Sequence, residues 1–440
     1  ELAGRIHTGV TANVLRELLE SLKGGRAKRP ARPGHVQGAS SIFPYRKGEA
    51  FLTYKSLRRK GSPAEAIATL KESGLRGMGG AGFPAGAKWE IVQNASSKNK
   101  TVICNADESE PGTFKDRALM DTYPELVLEG MLIAAWAVKA ERGIIYIRHE
   151  YDRQRKSLGR ALMAARKAGL IRGKRNPHIE IFVSPGGYIC GEETALLEVL
   201  EGKRAQPRDK PPFPGTHGLF GNPTLINNVE TFALIPSILK KGPPWFKSFG
   251  RNEGQGFKII GVSGPLKRPG VFETEFGTPV RQILEEMAGG LQDGLRLKAF
   301  CPGGASSGFL PAGMVDIPYD FSPLAEAGSM LGSGALVAIP EGTDMVALAR
   351  NALRFFRDES CGKCVPCRLG TEKLTDFLAR TLNGTARAEE LKVMEDVSSA
   401  MTDTSICGLG QTAPYPFLTL LRHFRGEIEE KLKAAAPGVA

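Results

Sequence analysis

Four cysteines place the strongest constraint on how this chain can fold. Cys361, Cys364 and Cys367 fall within one short run, and Cys407 follows forty positions later. Three closely spaced thiolates can bind one side of a metal centre while a distant fourth closes it, which is the spacing typical of iron–sulfur sites. A structural zinc site more often uses two separated Cys-x2-Cys or Cys/His pairs, and no histidine lies near either segment. The spacing favours a [4Fe–4S] cluster over zinc or unliganded thiols.

Pro366 and the remaining cysteines complete this picture. Proline lacks the backbone N–H and clashes with the preceding turn, so Pro366 predicts that the cysteine run does not form a regular helix. Cys104, Cys190 and Cys301 are isolated in apolar or glycine-rich segments and are interpreted as small buried residues. Seven cysteines without a disulfide framework indicate a reducing compartment. We therefore expect the cytoplasm, or the cytoplasmic face of a membrane complex.

Charge and hydropathy limit the classes of partner. The net charge is +12, but the densest basic segment, residues 24–35, is rich in proline and glycine and lacks interleaved aromatic residues. This composition favours a solvated linker over a nucleic-acid site. The excess positive charge elsewhere suits a dinucleotide's pyrophosphate or an acidic protein. No apolar stretch reaches the roughly 20 residues that a membrane span requires, so no span is expected.

Hydrophobic periodicity predicts an N-terminal arm followed by three folded units. Strands predicted at 101–105, 143–147 and 179–183 alternate with helices, which indicates an α/β unit with a largely parallel sheet. Short strands and turns then predict a compact α+β insert, and helical periodicity from residue 345 onward predicts a bundle that carries the cysteines. The predicted units are an amphipathic helix at 10–23 with the basic linker (1–60), the α/β unit (61–250), the insert (251–342) and the helical bundle (343–440).

A glycine-rich segment is the first candidate for ligand binding. Gly77, Gly79 and Gly82 satisfy G-x-G-x-x-G, yet they follow a predicted helix and lead into Phe83, whereas a Rossmann glycine turn follows a strand. Residues without Cβ allow backbone N–H groups to approach a phosphate or a planar ring closely. The segment is interpreted as a nucleotide or flavin loop, with a plain flexible loop as the alternative.

Acidic and amide side chains follow two of the predicted strands. Open α/β sheets bind ligands at the carboxyl ends of their strands, so recurrence at two strand ends favours one shared site. Helix capping by acids is the alternative for either cluster. The residues concerned are Asn105, Asp107, Glu108 and Glu110 after the first strand, and Glu192 and Glu193 after the third.

Five segments together resemble the NADH-binding flavoprotein subunit of respiratory complex I, a module shared with NAD-linked hydrogenases and formate dehydrogenases. They are GLRGMGGAGFPAGAKW, CNADESEPGTFKDR, GGYICGEETALLEVLEGKRAQPRDKPPFP, PTLINNVETF and ESCGKCVPCRLGT with the late Cys407. The resemblance covers about residues 60–433 in the family's order. It implies a Rossmann-like flavin- and NADH-binding α/β domain, a ubiquitin-like (β-grasp) α+β domain, and a four-helix bundle with one [4Fe–4S] cluster.

The resemblance also implies roles for individual residues. FMN would be held by Gly77, Gly79, Lys88, Asn105, Asp107, Glu108, Gly191, Glu192, Asn227, Asn228 and Thr231. NADH would contact Phe83, Glu110, Glu193, Lys210 and Phe213, with both phenyl rings on the adenine and both carboxylates near the nicotinamide half and ribose. Many relatives have Arg where this chain has Met78, and some have a third aromatic residue where it has Ile91; these departures bear on the affinity of the adenine pocket.

These residues imply an NADH:acceptor oxidoreductase subunit. Nicotinamide gives up two electrons as a hydride and a cluster accepts one, so FMN would convert between them, and no side chain need act as acid or base. Electrons would pass to or from a thioredoxin-like [2Fe–2S] subunit and further iron–sulfur subunits that lead to a catalytic subunit. The carboxylate of Glu193 would repel a 2′-phosphate, so NAD should be preferred over NADP. The alternatives are a non-catalytic iron–sulfur relay or scaffold subunit and, more weakly, a zinc-binding nucleic-acid module.

Overall fold

The computed structural model describes residues 49–171 and 176–434. The helix predicted at 10–23 and the basic linker lie outside the described residues. Among the helices of the described ranges, none combines the length and the apolar character needed to cross a membrane.

A four-stranded parallel sheet organises the first half of the described chain. Its strands are β1 (Thr101–Ala106), β2 (Arg142–Arg148), β3 (His178–Ser184) and β4 (Thr224–Asn228), in the order β3-β2-β1-β4. All three neighbouring pairs are parallel, which confirms the predicted parallel sheet. The sequence analysis did not predict β4, because only its first three residues are apolar or β-branched before two asparagines begin. This strand lies at an edge and ends at the site described below.

Helices cover both faces of this sheet. They are α1 (Leu52–Lys60), α2 (Pro63–Ser73), α3 (Ala85–Asn94), α4 (Lys115–Thr122), α5 (Pro124–Val138), α6 (Asp152–Lys167), α7 (Glu193–Leu200), α8 (Pro214–His217), α9 (Val229–Lys241) and α10 (Pro243–Lys247). Helix α5 is apolar on nearly all sides and is buried. It approaches α9 so closely that a Cβ at Gly130 would lie 2.0 Å from the carbonyl oxygen of Phe232. Glycine at this position therefore allows the two helices to pack.

A five-stranded mixed sheet follows. Its strands are β5 (Phe257–Ser263), β6 (Gly270–Glu275), β7 (Leu297–Cys301), β8 (Leu310–Pro311) and β9 (Ala335–Pro340), in the order β6-β5-β9-β7-β8. The first strand pairs parallel with the last, and the other pairs are antiparallel. The short helices α11 (Val280–Gln282) and α12 (Phe321–Glu326) lie between the strands. This strand order is that of a β-grasp fold, as the resemblance implied.

The last part of the described chain is helical, as predicted. It comprises α13 (Met345–Glu359), α14 (Val365–Leu382), α15 (Glu390–Thr404), the short α16 (Gly408–Thr412) and α17 (Tyr415–Ala434). The prediction that Pro366 keeps the cysteine run out of a helix was wrong for Cys367, because α14 begins at Val365. Proline is tolerated in the first turn, where its missing N–H would have no helical partner. The unit boundaries predicted at 61–250, 251–342 and 343–440 stay a prediction.

Candidate active site and cluster site

A cavity of about 570 Å³ lies at the carboxyl ends of β1 and β4. Its volume is in the range of cavities that hold cofactors and small molecules. Fourteen of the sixteen residues predicted to hold FMN or NADH line it: Gly77, Gly79, Phe83, Lys88, Asn105, Asp107, Glu108, Glu110, Gly191, Glu192, Glu193, Lys210, Asn227 and Asn228. Thr231 and Phe213 lie outside its wall. One shared site at two strand ends was the interpretation drawn from the sequence, and the structure brings the two acidic clusters together.

The glycine loop connects α2 to α3, so it is not a Rossmann turn. It is closed by hydrogen bonds from the amide of Gly77 to the carbonyl oxygen of Phe83 at 2.8 Å and from Arg76 Nε to the carbonyl oxygen of Gly82 at 2.6 Å. Gly82 has φ of 67°, and a Cβ there would lie 2.5 Å from the ring of Phe321. A side chain at Gly82 would therefore be strained and would clash with α12.

Two predicted residues support the glycine loop through its neighbours. Thr231 is fully buried, and its hydroxyl accepts a hydrogen bond from the amide of Met78 at 3.0 Å. A Cβ at Gly79 would lie 3.0 Å from Cβ of Asn228. Thr231 therefore acts on the loop from outside the cavity, whereas Asn228 packs against the loop and also lines the cavity.

The end of β1 is held by a network of polar side chains. Asn105 Nδ2 donates to the carbonyl oxygen of Gly191 at 2.8 Å, and its Oδ1 accepts from the amide of Asp107 at 3.2 Å. The carboxylate of Asp107 accepts hydrogen bonds from the hydroxyls of Ser184, at 3.0 Å, and Ser109. Burial raises the pKa of Asp107, while these hydroxyls oppose the shift. The network joins the ends of β1 and β3 to the segment that precedes α7.

Glu108 lines the cavity, but its carboxylate accepts hydrogen bonds from the first turn of α4. Its oxygens accept hydrogen bonds from the amides of Asp116, at 2.7 Å, and Arg117, at 2.9 Å, and from the hydroxyl of Tyr151 at 2.9 Å. Burial and the neighbouring Asp116 raise the pKa of Glu108 to about 7, and Lys115 opposes the shift. Glu108 thus fixes the beginning of α4 against the sheet.

Glu110 is held by the second sheet's domain. Its Oε1 accepts hydrogen bonds from the amide and the hydroxyl of Ser306, at 2.8 and 2.9 Å. Burial raises the pKa of Glu110, while hydrogen bonds from Tyr188 and Ser306 oppose the shift. A Cβ at Gly304, where φ is 90°, would lie 2.8 Å from Cγ of Glu110. The turn at residues 303–308 is therefore shaped to receive this carboxylate.

The two carboxylates at the start of α7 have different partners. Glu192 Oε2 accepts hydrogen bonds from two amides in the first turn, at 2.8 and 2.9 Å, so the helix-capping alternative is correct for this residue. Its Oε1 pairs with Lys210 Nζ at 3.0 Å. Glu193 Oε2 pairs with Lys88 Nζ at 3.0 Å, and both side chains are more than a quarter exposed. Capping leaves both residues in the cavity wall.

The aromatic residues predicted for the adenine are exposed. Phe83 is 49% exposed and lines the cavity, whereas Phe213 is 58% exposed and does not. Met78 is fully buried, and so its side chain does not replace a pocket residue. Ile91 lies against α8, since a Cβ at Gly215 would be 2.9 Å from its Cγ2.

Sequence reasoning missed part of the cavity wall. The missed residues from Gly80 to Ile226 lay within the quoted segments, which was the available signal, whereas those from Ser306 onward are uncharged and come from turns and from α16. The missed residues are Gly80, Ala81, Ser109, Thr113, Asp116, Tyr188, Ile189, Ile226, Ser306, Met330, Gly332, Ser333, Gly408, Leu409, Gln411 and Thr412.

A second, smaller cavity is lined by the four predicted ligand cysteines. The cysteines are Cys361, Cys364, Cys367 and Cys407, and the remaining lining residues are Ile189, Pro207, Ser360, Lys363, Ile406 and Leu409. Lys363 Nζ donates to the carbonyl oxygen of Pro207 at 2.8 Å, and Arg204 Nη2 donates to that of Cys361 at 3.1 Å. The cysteine run is therefore tied to the segment that leads to Lys210.

The cysteine set fits a cluster better than a single ion. Within residues 49–171 and 176–434, no group of three or more His, Cys, Asp or Glu side chains is arranged to hold one metal ion, yet four thiols face one recess. A cluster has one iron for each of four thiolates and needs a recess between them. Burial and the neighbouring thiols raise the pKa of Cys367 to about 12. Ligation therefore requires positive charge from the iron to displace the protons.

Two protein-family models match parts of this chain. Residues 70–237 match the family described as the Nuo51 FMN-binding domain. Residues 347–431 match the NADH-ubiquinone oxidoreductase-F iron-sulfur binding region. The first range extends from the glycine loop past β4, and the second contains all four cysteines of the smaller cavity.

Whole-chain relatives give the same result. The second F subunit of NADH-quinone oxidoreductase from Rhizobium meliloti (strain 1021) is 43% identical, over 87% of this chain and 94% of the relative. The F subunit of NADH-quinone oxidoreductase from Escherichia coli (strain K12) is also 43% identical, over 84% of this chain and 85% of the relative. A crystal structure of a NAD⁺-reducing [NiFe]-hydrogenase in the H2-reduced state superimposes with a TM-score of 0.86 at 32% identity, covering 98% of this chain and 74% of that one. The chain belongs to the family of NADH-quinone oxidoreductase F subunits.

Proposed function

We propose that this chain oxidises or regenerates NADH in the larger cavity and exchanges single electrons through the cysteine site with a partner. It is an NADH oxidoreductase subunit that carries an FMN-binding domain and a [4Fe–4S] region. The observation that carries the proposal is the shared wall: Ile189 and Leu409 line both cavities. A two-electron site and a one-electron site would then share two apolar side chains in their walls.

The larger cavity fits FMN by its size and by the groups that line it. Gly77 and Gly79 offer backbone without side chains, and Asn105, Asp107 and Asn228 offer amide and carboxylate hydrogen-bonding groups. When bound, FMN accepts a hydride equivalent from nicotinamide and returns the electrons one at a time. Of the residues predicted to hold FMN, those that line the cavity would bind and orient it, whereas Thr231 would act through the glycine loop. The carboxylate of Glu192 would act indirectly, through the position of α7.

NADH would enter on the side where the aromatic and charged side chains are exposed. Phe83 presents a half-exposed ring on which adenine can stack, and Phe213 would approach from the neighbouring loop. Lys210 carries its positive charge into the wall, and Glu192 raises its pKa against the lowering effect of burial. The ammonium group would attract the pyrophosphate. Glu193 would accept hydrogen bonds from ribose hydroxyls and repel a 2′-phosphate.

Glu110 would serve the nicotinamide half. It is clamped by Ser306 and adjoins Tyr188 in the wall of the cavity. The second sheet's domain thereby limits how the inner end of a dinucleotide can lie. No proton transfer from this carboxylate is required, because hydride transfer moves no separate proton to the protein.

Electron exchange requires partners, and the relatives are named as subunits. We propose a thioredoxin-like [2Fe–2S] subunit and further iron–sulfur subunits leading to a catalytic subunit. Isolated thiols support a reducing compartment, since all seven cysteines are free of disulfides. The proposed location is the cytoplasm or the cytoplasmic face of a membrane complex.

FMN-dependent oxidation of NADH with ferricyanide as acceptor tests the proposal. The full chain should bind one FMN and oxidise NADH only when FMN is present. Asp107→Ala should lose FMN, whereas Asp152→Ala, at the exposed start of α6, should behave as the unaltered chain. A chain that binds a cluster but neither FMN nor NADH would instead be a non-catalytic relay.

A further inference from the structure

Four charged side chains form a buried cluster beside the larger cavity. Lys115 Nζ lies 2.6 Å from Asp116 Oδ1 and 2.8 Å from Glu230 Oε2, and Lys258 Nζ lies 3.2 Å from the same Glu230 oxygen. All four side chains are at most 4% exposed. Removing four charges from water costs more than their packing can return unless each has partners. A neutral set of two cations and two anions meets that requirement.

Lys258 is the member of this cluster that comes from the second sheet. Lys115 and Asp116 lie on α4 and Glu230 on α9, whereas Lys258 lies on β5. Its Nζ also donates a hydrogen bond to the carbonyl oxygen of Met78 at 2.9 Å. Met78 lies in the glycine loop, between Gly77 and Gly79. A side chain of the second sheet thus contacts the backbone of the glycine loop, which lines the larger cavity.

The Met78 residue is held from both sides. Its amide donates to Thr231 Oγ1 at 3.0 Å, and its carbonyl oxygen accepts from Lys258. The side chain of Met78 is fully buried. The loop backbone at this point is therefore held by one residue of α9 and one of β5.

The second sheet reserves space for the lysine stem. Gly334 precedes β9 and has φ of 82°, and a Cβ there would lie 2.6 Å from Cε of Lys258. Burial lowers the pKa of Lys258 to about 8, and Glu230 opposes the shift. The ammonium form therefore predominates at pH 7. Lys258 is therefore a charged donor, and the glycine at position 334 leaves room for its side chain.

The same cluster fixes a second residue of the cavity wall. Asn228 Nδ2 donates to Asp116 Oδ2 at 2.6 Å, and its Oδ1 accepts from Lys115 Nζ at 3.2 Å. Asn228 packs against Gly79, where a Cβ would come within 3.0 Å. The buried cluster therefore contacts two residues of the glycine loop: Met78 directly, through Lys258, and Gly79 through Asn228.

We infer that Lys258 is a positioning residue for FMN: it acts through the carbonyl oxygen of Met78 to hold the glycine loop in its binding conformation. This inference rests on the proposed FMN site. Neutralising Glu230 is not the specific role of Lys258, because Glu230 would keep Lys115 at 2.8 Å and the amide of Ile259 at 2.6 Å without it. The contact that Lys258 alone makes is the one to the loop.

The test measures the FMN dissociation constant of the full chain, stripped of FMN, by quenching of flavin fluorescence at pH 7. Lys258→Met removes the donor and keeps the stem. Lys258→Met with Glu230→Gln removes the donor and restores the charge balance. Lys298→Met is the matched control, because Lys298 lies on β7 of the same sheet, pairs with Glu427 and donates to the carbonyl oxygen of Thr343.

We expect both Lys258 variants to bind FMN about tenfold more weakly, since each loses a charge-assisted hydrogen bond to the loop. At saturating FMN their KM for NADH should equal that of the unaltered chain. Deuterium uptake should rise at residues 77–82 in both Lys258 variants. Lys298→Met should change neither the FMN affinity nor this uptake. Circular dichroism identifies the folded variants, and the double variant decides alone if the single one does not fold.

Three results of the binding measurements would overturn the inference. They are unaltered FMN affinity in Lys258→Met, recovered affinity in the double variant, which would make charge balance the cause, and equal weakening in Lys298→Met. If the unaltered chain bound no FMN, the proposed function itself would fail, and the two failures are therefore distinguishable. If neither Lys258 variant folds while Lys298→Met does, Lys258 is structural and the inference is also overturned.

Discussion

Ile189 and Leu409 each contribute to the walls of both cavities, although they lie 220 residues apart in the chain. Ile189 precedes α7, and Leu409 lies in the short helix that follows Cys407. Both side chains are buried. One apolar side chain from each of the two regions of the chain therefore belongs to both walls, which favours electron exchange between the sites.

Leu409→Ala should raise the reduction potential of the cluster. The smaller side chain admits water to the wall, and water stabilises the extra negative charge of the reduced form. A potentiometric titration followed by low-temperature EPR measures the change. Leu421→Ala is the control, because Leu421 is equally buried in the same helical core but lines neither cavity. Equal shifts in the two variants would refute a specific role for the wall.

Cys407→Ala should abolish the cluster and leave FMN binding intact. Three cysteines cannot supply the fourth thiolate, so iron should fall from about four atoms per chain towards zero. Iron and acid-labile sulfide analysis, together with flavin fluorescence, measures both effects. Cys301→Ala should keep its iron, since Cys301 is buried but lines neither cavity. Full iron content in Cys407→Ala would mean that this cysteine is not a ligand.

Glu193→Ala should weaken the preference for NADH. Loss of the carboxylate removes repulsion of a 2′-phosphate and frees Lys88, its partner at 3.0 Å. The NADPH/NADH ratio of kcat/KM should rise about tenfold, corresponding to about 1.4 kcal/mol. Glu198→Ala provides the comparison, because Glu198 lies on the same helix and pairs with Arg208 outside the cavity. An unchanged ratio in Glu193→Ala would exclude the proposed role.

Glu273 should make the fold less stable as pH rises. Its carboxylate oxygens are buried without a hydrogen-bond partner among the described residues. Burial, and to a smaller extent repulsion from Glu230, raise the pKa of Glu273 from 4.5 to about 8. Between these values the folded state keeps a proton that the unfolded state has lost, so stability falls as pH rises from 4.5 to 8 and this cost is absent below 4.5.

Glu273→Gln should remove that cost. The free energy of unfolding at pH 8 should increase by about 1–3 kcal/mol, and the increase should be smaller at pH 5. Chemical denaturation at the two pH values measures the difference. Glu275→Gln on the same strand, which loses a partly exposed pair with Arg251, should change the free energy by less than about 1 kcal/mol at both. Equal effects of Glu273→Gln at pH 5 and 8 would contradict the assignment.

Local patterns predicted three strands of the first sheet, and together with the family resemblance they predicted fourteen residues of the cavity wall. Strands such as β1 are short apolar runs that end in acidic residues, and parallel strands bring those ends together. β4 was missed because its apolar run is short, and α14 begins earlier than expected because Pro366 occupies a first-turn position.

Contacts between distant segments were beyond local patterns. Nothing near Lys258 indicates that it reaches Met78, 180 positions earlier, and nothing near Ser306 indicates that it holds Glu110. Both contacts depend on how the second sheet docks on the first domain. The same holds for Leu409, because an apolar residue near a ligand cysteine cannot be told from ordinary core by its sequence alone.

An anaerobic titration of the full chain with NADH, followed by flavin absorbance and by low-temperature EPR of the cluster, tests the central claim most directly. The account predicts that NADH bleaches the flavin and that a reduced-cluster signal appears in the same titration. The two cavities share Ile189 and Leu409 in their walls, and this proximity favours such coupling. A cluster that stays oxidised at saturating NADH, or a chain that binds no flavin, would contradict it.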